Sequence, residues 1–377
     1  MIPVNEPLIA PKAKKYILDC LNTGWVSSGG KYINSFEESF AKYIGIKYAI
    51  TTTSGTTALH LALAALGIGP GDEVIIPDLT IMSCALAVIY LGATPVLVDV
   101  DPQTGNIDPS KIEEKITKKT KVLMVVHLYG HPADMQKILP IAKKHKLILI
   151  EDAAEAHGAE VQLINSKGRK YWQKVGSIGD IGCFSFYGNK IVTTGEGGMI
   201  TTNNEKIAQK ARLLKDLAHS PKLRFFHEVV GYNFRMTNIQ AALGLAQLEQ
   251  IESYLKKKRL MAQKYTKGLI DMTFLQLPTE EPWAKSVYWM YAVLIKKGYK
   301  TSRDKFCEML KQHGIDTRTY FIPLHTQPAL KKMGLFKNEK YPVSDDLSKK
   351  GFYLPSGLAI TNSQIETVIK EINKITK

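Results

Sequence analysis

One lysine in this sequence is placed for covalent chemistry. Gly182-Cys183-Phe184-Ser185-Phe186-Tyr187-Gly188-Asn189-Lys190 reads as a short apolar strand running into a glycine-rich turn, continued by Thr193-Thr194-Gly195-Glu196-Gly197-Gly198. A lysine held at such a turn becomes a nucleophile when its amine is kept partly neutral. Most lysines are solvated surface charges, so Lys190 taken alone carries little.

Two upstream stretches change its meaning. Leu147-Ile148-Leu149-Ile150 has the look of a buried strand and ends in Glu151-Asp152-Ala153-Ala154-Glu155-Ala156-His157-Gly158. Carboxylates at the C-terminal end of an apolar strand stand where open α/β sheets bind ligands. Solvation of a strand end is the plainer reading of Asp152 and Glu155. Thr51-Thr52-Thr53-Ser54-Gly55-Thr56-Thr57 separates a strand from an apolar helix. Hydroxyls and free N–H groups at a helix N-terminus form an anion cradle, here Ser54, Gly55 and Thr56. Ser54 also reads as an N-cap, and the two roles share one geometry.

The elements that must position these groups alternate. Apolar strands are expected at 48–50, 73–76, 95–98, 122–127 and 147–150, with helices at 58–66, 81–91 and 133–144 between them. That alternation implies a mostly parallel sheet covered by helices on both faces. Further helices are expected over 7–22, 205–217 and 237–264. Gly67-Ile68-Gly69-Pro70-Gly71 follows a helix and precedes a strand, the reverse of a dinucleotide fingerprint, and reads as a turn. The polar stretch 160–175 reads as a surface hairpin. After about residue 268 the pattern changes to a smaller α+β unit: strands at 286–295 and 352–354, helices at 303–312 and 362–375, and a loop over 317–325. The expected division is a large α/β domain over 1–250 and a small domain over 251–377.

Composition narrows the class. Hydrophobic residues make up 45% and charged residues 23% of 377 residues, the balance of a globular protein. No apolar run reaches the roughly 18 residues of a membrane span, and the N-terminus lacks the pattern of a signal peptide. Cys20, Cys84, Cys183 and Cys307 are far apart and lack metal-ligand spacing, so they read as reduced core residues of a cytoplasmic protein. His127 and His131 have no third ligand nearby, which argues against metal. The formal charge of +15 comes from dispersed lysines without a nucleic-acid motif, so it argues only for non-specific attraction.

Phosphate cradle, acid and lysine, each at a strand end, resemble the DegT/DnrJ/EryC1/StrS family of sugar aminotransferases over nearly the whole chain. Trp25-Val26-Ser27-Ser28, Cys183 to Gly198, and His227-Glu228-Val229-Val230-Gly231-Tyr232-Asn233-Phe234-Arg235-Met236-Thr237-Asn238 carry the likeness, closest to the perosamine-forming branch. The resemblance implies the fold of the type I pyridoxal-phosphate enzymes and pyridoxal 5'-phosphate as cofactor, with pyridoxamine phosphate as its amine-carrying form. Lys190 would condense with the cofactor aldehyde and later move a proton. Asp152 would face the pyridine nitrogen, and Ser54, Gly55, Thr56 and Ser185 would hold the phosphate. Glu155 takes a position usually filled by Gln beside the phenolic oxygen, where two negative charges would repel unless one is protonated. Ile81 stands where the family usually stacks an aromatic on the ring.

Asn233 reads from the sequence alone as a turn or cap residue. By resemblance it reaches the phosphate of a second subunit, implying a homodimer or larger assembly with shared sites. Trp25, Arg318 and His325 fall in loops that border the sugar-nucleotide site in the family; linker or surface roles are the plainer readings. The implied reaction moves an amino group from L-glutamate to C4 of GDP-4-keto-6-deoxy-D-mannose, giving GDP-perosamine for O-antigen synthesis. Alternatives are a UDP- or dTDP-linked 4-keto sugar, or a non-catalytic regulator that binds the cofactor. A related dehydratase carries histidine at the position of Lys190, so lysine favours transamination. No nucleic-acid or membrane partner is expected.

Overall fold

Short apolar runs separated by helices can bury both of their faces only in a covered, mostly parallel sheet. The computed structural model describes residues 1–220, 222–223 and 225–376. Its first strands are β1 (Tyr48–Thr52), β2 (Glu73–Pro77), β3 (Thr94–Val98), β4 (Thr120–Val126) and β5 (Ile148–Asp152). A hairpin of β6 (Glu160–Ile164) and β7 (Lys170–Lys174) follows, then β8 (Ile181–Ser185) and β9 (Gly198–Thr202). The main sheet has seven strands in the order β1-β9-β8-β5-β4-β2-β3. β9 runs against its neighbours β8 and β1, and the remaining pairs are parallel. The expected α/β class with a mostly parallel, helix-covered sheet holds.

Helices α1 (Ala13–Thr23), α2 (Lys31–Ile44), α3 (Gly55–Ala65), α4 (Ser83–Ile89), α5 (Met135–His145), α6 (Glu205–Lys215) and α7 (Asn238–Leu248) cover this sheet. The period-two rule sorts each strand between two cores. Ile75, Leu123, Leu149 and Phe184 pack with Phe36 and Phe40 of α2 and Ile138 of α5. Val74, Ile76, Met124, Ile150 and Cys183 face the other way, onto Leu59 and Leu63 of α3 and Val88 of α4.

The rest of the chain builds two small sheets. β10 (Leu275–Gln276), β12 (Tyr291–Ile295), β14 (Gly351–Leu354) and β13 (Arg318–Thr319) form one, in that order. β11 (Ala284–Lys285) adds to the β6–β7 hairpin. The remaining helices are α8 (Ile251–Leu269), α9 (Arg303–Gln312), α10 (Pro328–Lys332), α11 (Pro342–Lys350) and α12 (Asn362–Thr376). Tyr265 of α8, Phe306 of α9 and Val368 and Ile372 of α12 close a third core over Tyr291 and Phe352.

Three boundaries depart from the pattern in the sequence. The helix expected over 7–22 begins at Ala13, because Pro11 disfavours helical geometry at Ala10. The single helix expected over 237–264 is two, broken where Gln250 leaves helical geometry at φ −104° and ψ 3°. The Tyr254 hydroxyl braces that bend by donating to Gln247 Oε1 at 2.7 Å. Finally, only Tyr291–Ile295 of the strand expected over 286–295 joins the sheet. Tyr288 has φ 47°, which no strand residue adopts. The 160–175 stretch is the expected hairpin. Among the described residues no helix is long and apolar enough to cross a membrane, and no cluster of three ligating side chains could hold a metal. His127 pairs with Glu151 at 3.0 Å instead.

Candidate active site

The carboxyl ends of the parallel strands set out the site. β1 leads through Ser54 into α3. Ser54 Oγ accepts the Thr57 N–H at 3.1 Å, and the Thr57 hydroxyl accepts the Ser54 N–H at 2.9 Å, a reciprocal cap. The first N–H groups of a helix have no intrahelical partner, so those of Gly55 and Thr56 open toward any anion at this end. β8 delivers Ser185 to the same place. A Cβ at Gly55 would lie 2.7 Å from Ser185 Cβ, so only glycine permits this approach. Thr56 Oγ1 is 2.8 Å from Ser83 Oγ, which ties α3 to α4.

β5 ends on Asp152, which is buried. Its Oδ1 accepts the Ala154 N–H at 3.0 Å, and its Oδ2 accepts the Cys84 thiol at 3.2 Å. Burial raises the Asp152 pKa above the usual carboxylate range, against the stabilising Ala154 N–H, Cys84 and Lys190. A carboxylate so placed gains charge stability from a cation brought in beside it.

Glu155 is also buried and accepts the Tyr129 N–H at Oε2, 2.9 Å away. Its Oε1 is 3.4 Å from Lys190 Nζ. Burial pulls the Lys190 ammonium down from the lysine range, against Glu155 and Asp152, which hold it up. Burial likewise pushes Glu155 up, against Lys190. Both shifts run toward an uncharged pair, the state in which an amine can act as nucleophile or base.

Ser54, Gly55, Thr56, Asp152, Glu155, Ser185, Lys190 and Arg318 line one cavity of about 370 Å³. Ile81 also lines it and is 42% exposed, in place of a stacked aromatic. A groove of about 590 Å³ along α8 is larger but holds no such set. Glu160 and Lys285 pair within it, and its Arg259 pairs with Glu280. We therefore take the smaller cavity as the site.

The other residues singled out in the sequence lie elsewhere. Asn233 is exposed, does not line the cavity of its own chain, and accepts Arg235 Nε–H at 3.1 Å. Trp25 is exposed rather than buried in a linker, and its carbonyl accepts from Asn238 at 2.7 Å. His325 is buried outside the cavity: Nδ1 is 2.8 Å from Asp78 Oδ2 and its backbone N–H donates to Asp78 Oδ1 at 2.9 Å. Burial acts to lower its pKa, yet the Asp78 carboxylate wins and raises it. That ring joins the 317–325 loop to the end of β2.

Several lining residues carried no local signal. Trp289, Phe321 and Tyr353 arrive from distant segments. The Trp289 ring centroid is 3.7 Å from Lys190 Nζ. Cys84 looked like a core residue and is one, but it also orients Asp152. No local pattern marked that role; Thr80 Oγ1 is 3.6 Å from its sulfur.

Comparison with known proteins agrees with this geometry. The DegT/DnrJ/EryC1/StrS aminotransferase family matches residues 7–373. GDP-perosamine synthase of Caulobacter vibrioides is 43% identical over 375 residues, 99% of this chain and 98% of that protein. GDP-perosamine synthase of Escherichia coli O157:H7 is 43% identical over 373 residues, again 99% and 98%. Among solved structures, the aminotransferase from Psychrobacter cryohalolentis superposes with a TM-score of 0.90 at 34% identity, covering 98% of both chains. The chain belongs to the DegT/DnrJ/EryC1/StrS aminotransferase family, and it is an enzyme of the sugar aminotransferase class.

Proposed function

We propose that this enzyme uses pyridoxal phosphate to carry an amino group from L-glutamate to C4 of a nucleotide-linked 4-keto-6-deoxy sugar, namely GDP-4-keto-6-deoxy-D-mannose, giving GDP-perosamine. The observation that carries the reading is the meeting of Lys190, Asp152 and the α3 N-terminus in one cavity. The names of the relatives from Caulobacter vibrioides and Escherichia coli support the choice of sugar.

The residues present fit the cofactor. The Gly55 backbone, kept open by its missing Cβ, with Ser54, Thr56 and Ser185 suits a phosphate. Asp152, buried and in need of a cation, suits a protonated ring nitrogen. Lys190, held toward neutrality, suits an aldehyde carbon. When bound, pyridoxal phosphate supplies an electron sink that makes the Cα–H of an amino acid acidic.

The chain's own residues do the rest. Lys190 would hold the cofactor through its amine and, when that amine is free, would move the proton at the donor's Cα. Asp152 stabilises the charge that builds up during this transfer. Glu155 holds or releases a proton beside Lys190. Arg318, at the cavity edge on β13, offers a cation to the anionic part of a substrate. Asn233 lies outside its own cavity, and a second copy of the chain is the site it would serve, so the working unit is a homodimer or larger. An intact lysine–aspartate pair speaks against a purely regulatory protein.

The test is a coupled assay with L-glutamate and a panel of GDP-, UDP- and dTDP-linked 4-keto sugars. Release of 2-oxoglutarate that depends on the GDP sugar is expected. Turnover with the UDP or dTDP sugars alone would refute the GDP assignment, and turnover with none would refute the reaction.

A further inference from the structure

Lys258 lies on the buried face of α8, with Ile251, Tyr254, Met261, Ala262 and Tyr265. Its own exposure is 2%. Among the described residues no carboxylate forms an ion pair with it. Its ammonium donates instead to the carbonyls of Trp289, at 2.8 Å, and of Ser356. Burial lowers its pKa to about 7. A methionine would fill the same space without desolvating a charge, so packing alone does not account for a lysine here.

What Lys258 holds leads back to the site. Trp289 lies in the segment that failed to become strand, between the left-handed Tyr288 and the start of β12. No ladder hydrogen bonds place it. Point contacts do: Val287 N–H to the Gly130 carbonyl at 3.0 Å, the indole N–H to the Asn189 carbonyl at 2.8 Å, and Lys258 on the Trp289 carbonyl. The indole face that results sits 3.7 Å from Lys190 Nζ. Lys190, Lys258 and Trp289 also wall one void of about 10 Å³.

We propose that Lys258 is a positioning residue: it sets Trp289 so that the indole caps the Lys190 amine and keeps water from it. The inference rests on the reading of Lys190 as the reacting amine. The groups that face Lys190 are Glu155, Asp152, His157 and Trp289. The two carboxylates favour its charged form. The indole acts in two senses, attracting the ammonium through its π face and excluding water, which favours the neutral amine. Exclusion of water is the larger effect in a buried site, so loss of the cap raises the Lys190 pKa.

The experiment measures the amine in cofactor-free protein. Lys190 is trapped with pyridoxal and cyanoborohydride across pH, and the modified peptide is quantified by mass spectrometry. In Lys258→Met the midpoint of trapping moves up by about one pH unit. Trp289→Phe, which leaves Lys258 in place, moves it up as well. In the double variant the two shifts do not add, because both act through one indole. A midpoint that stays put or falls in Trp289→Phe overturns the proposal, as do fully additive shifts. An unmoved midpoint in Lys258→Met overturns the proposal too, and Lys258→Gln takes its place under the same criterion if Lys258→Met does not fold. Absence of trapping at Lys190 in the unmodified protein would instead overturn the reading of Lys190 itself.

Discussion

Lys190 Nζ and Glu155 Oε1 are 3.4 Å apart, with both side chains buried. The carboxylate is the largest influence holding the amine protonated against burial. Proton affinity at the Lys190 amine is thus a balance between nearby carboxylates, Glu155 foremost, and the loss of water.

That balance sets a sign. Glu155→Gln removes the group that raises the Lys190 pKa, so the neutral amine persists to lower pH. In cofactor-free protein the pH midpoint for trapping Lys190 with pyridoxal and cyanoborohydride should move down by about one unit. A midpoint that stays in place would sink the assignment of Glu155 as the partner of Lys190. Lys190→Ala, by contrast, loses at least about a thousandfold in turnover, together with the visible absorbance that pyridoxal phosphate develops on the unmodified protein.

Asp152→Asn keeps the shape of the side chain and removes its charge. Loss of an electrostatic stabiliser of this kind lowers kcat by about a hundredfold to a thousandfold. KM for the sugar changes little, because Asp152 is buried in the cavity and is proposed to face the cofactor rather than the sugar. Steady-state kinetics with saturating cofactor check both statements; a KM effect without a kcat effect contradicts them.

Gly55→Ala puts a methyl 2.7 Å from Ser185 Cβ. The start of α3 and the end of β8 must then separate, at about 1–3 kcal/mol. The urea midpoint falls accordingly. Affinity for pyridoxal phosphate weakens about tenfold or more, measured by absorbance titration. Unchanged affinity would show that the phosphate sits elsewhere.

His157 is fully buried against Phe184 and Phe186, and among the described residues neither ring nitrogen has a hydrogen-bond partner. Burial lowers its pKa from 6.5 to about 3, with Lys190 adding to the effect. Between those values the unfolded chain binds the extra proton, so stability is lost as pH falls from about 6.5 toward 3. The slope from this one group is at most about 1.4 kcal/mol per pH unit. His157→Phe therefore flattens the acid limb of a stability–pH curve, read from urea midpoints at pH 7, 6 and 5. Parallel curves for the two proteins would rule this out.

Much of the site was legible because its grammar is local. Ser54, Gly55 and Thr56 begin a helix, Asp152 ends one strand, and Ser185 and Lys190 follow another. Each place is marked by apolar periodicity giving way to glycine, hydroxyl or acid within a few residues. Trp289 was illegible for the opposite reason. Its indole meets the Asn189 carbonyl across 100 residues of chain, and its path turns at Tyr288, which lies inside what reads as continuous strand. The break between α7 and α8 was hidden in the same way, since apolar positions continue through it: Leu248 before it and Ile251 and Tyr254 after it pack into one core, and the third cluster takes over only from Met261. His325 carried a second role that no local pattern marked: its ring is 2.8 Å from Asp78, 247 residues away in the chain.

By itself the sequence determined which groups stand at the carboxyl edge of the sheet, because strand period, helix caps and the residues that end them act over single turns. Only the tertiary structure decided the state of the amine at Lys190. Its charge depends on how far water is excluded and how close Glu155 and Trp289 come, and those distances follow from packing between segments that share no sequence neighbourhood.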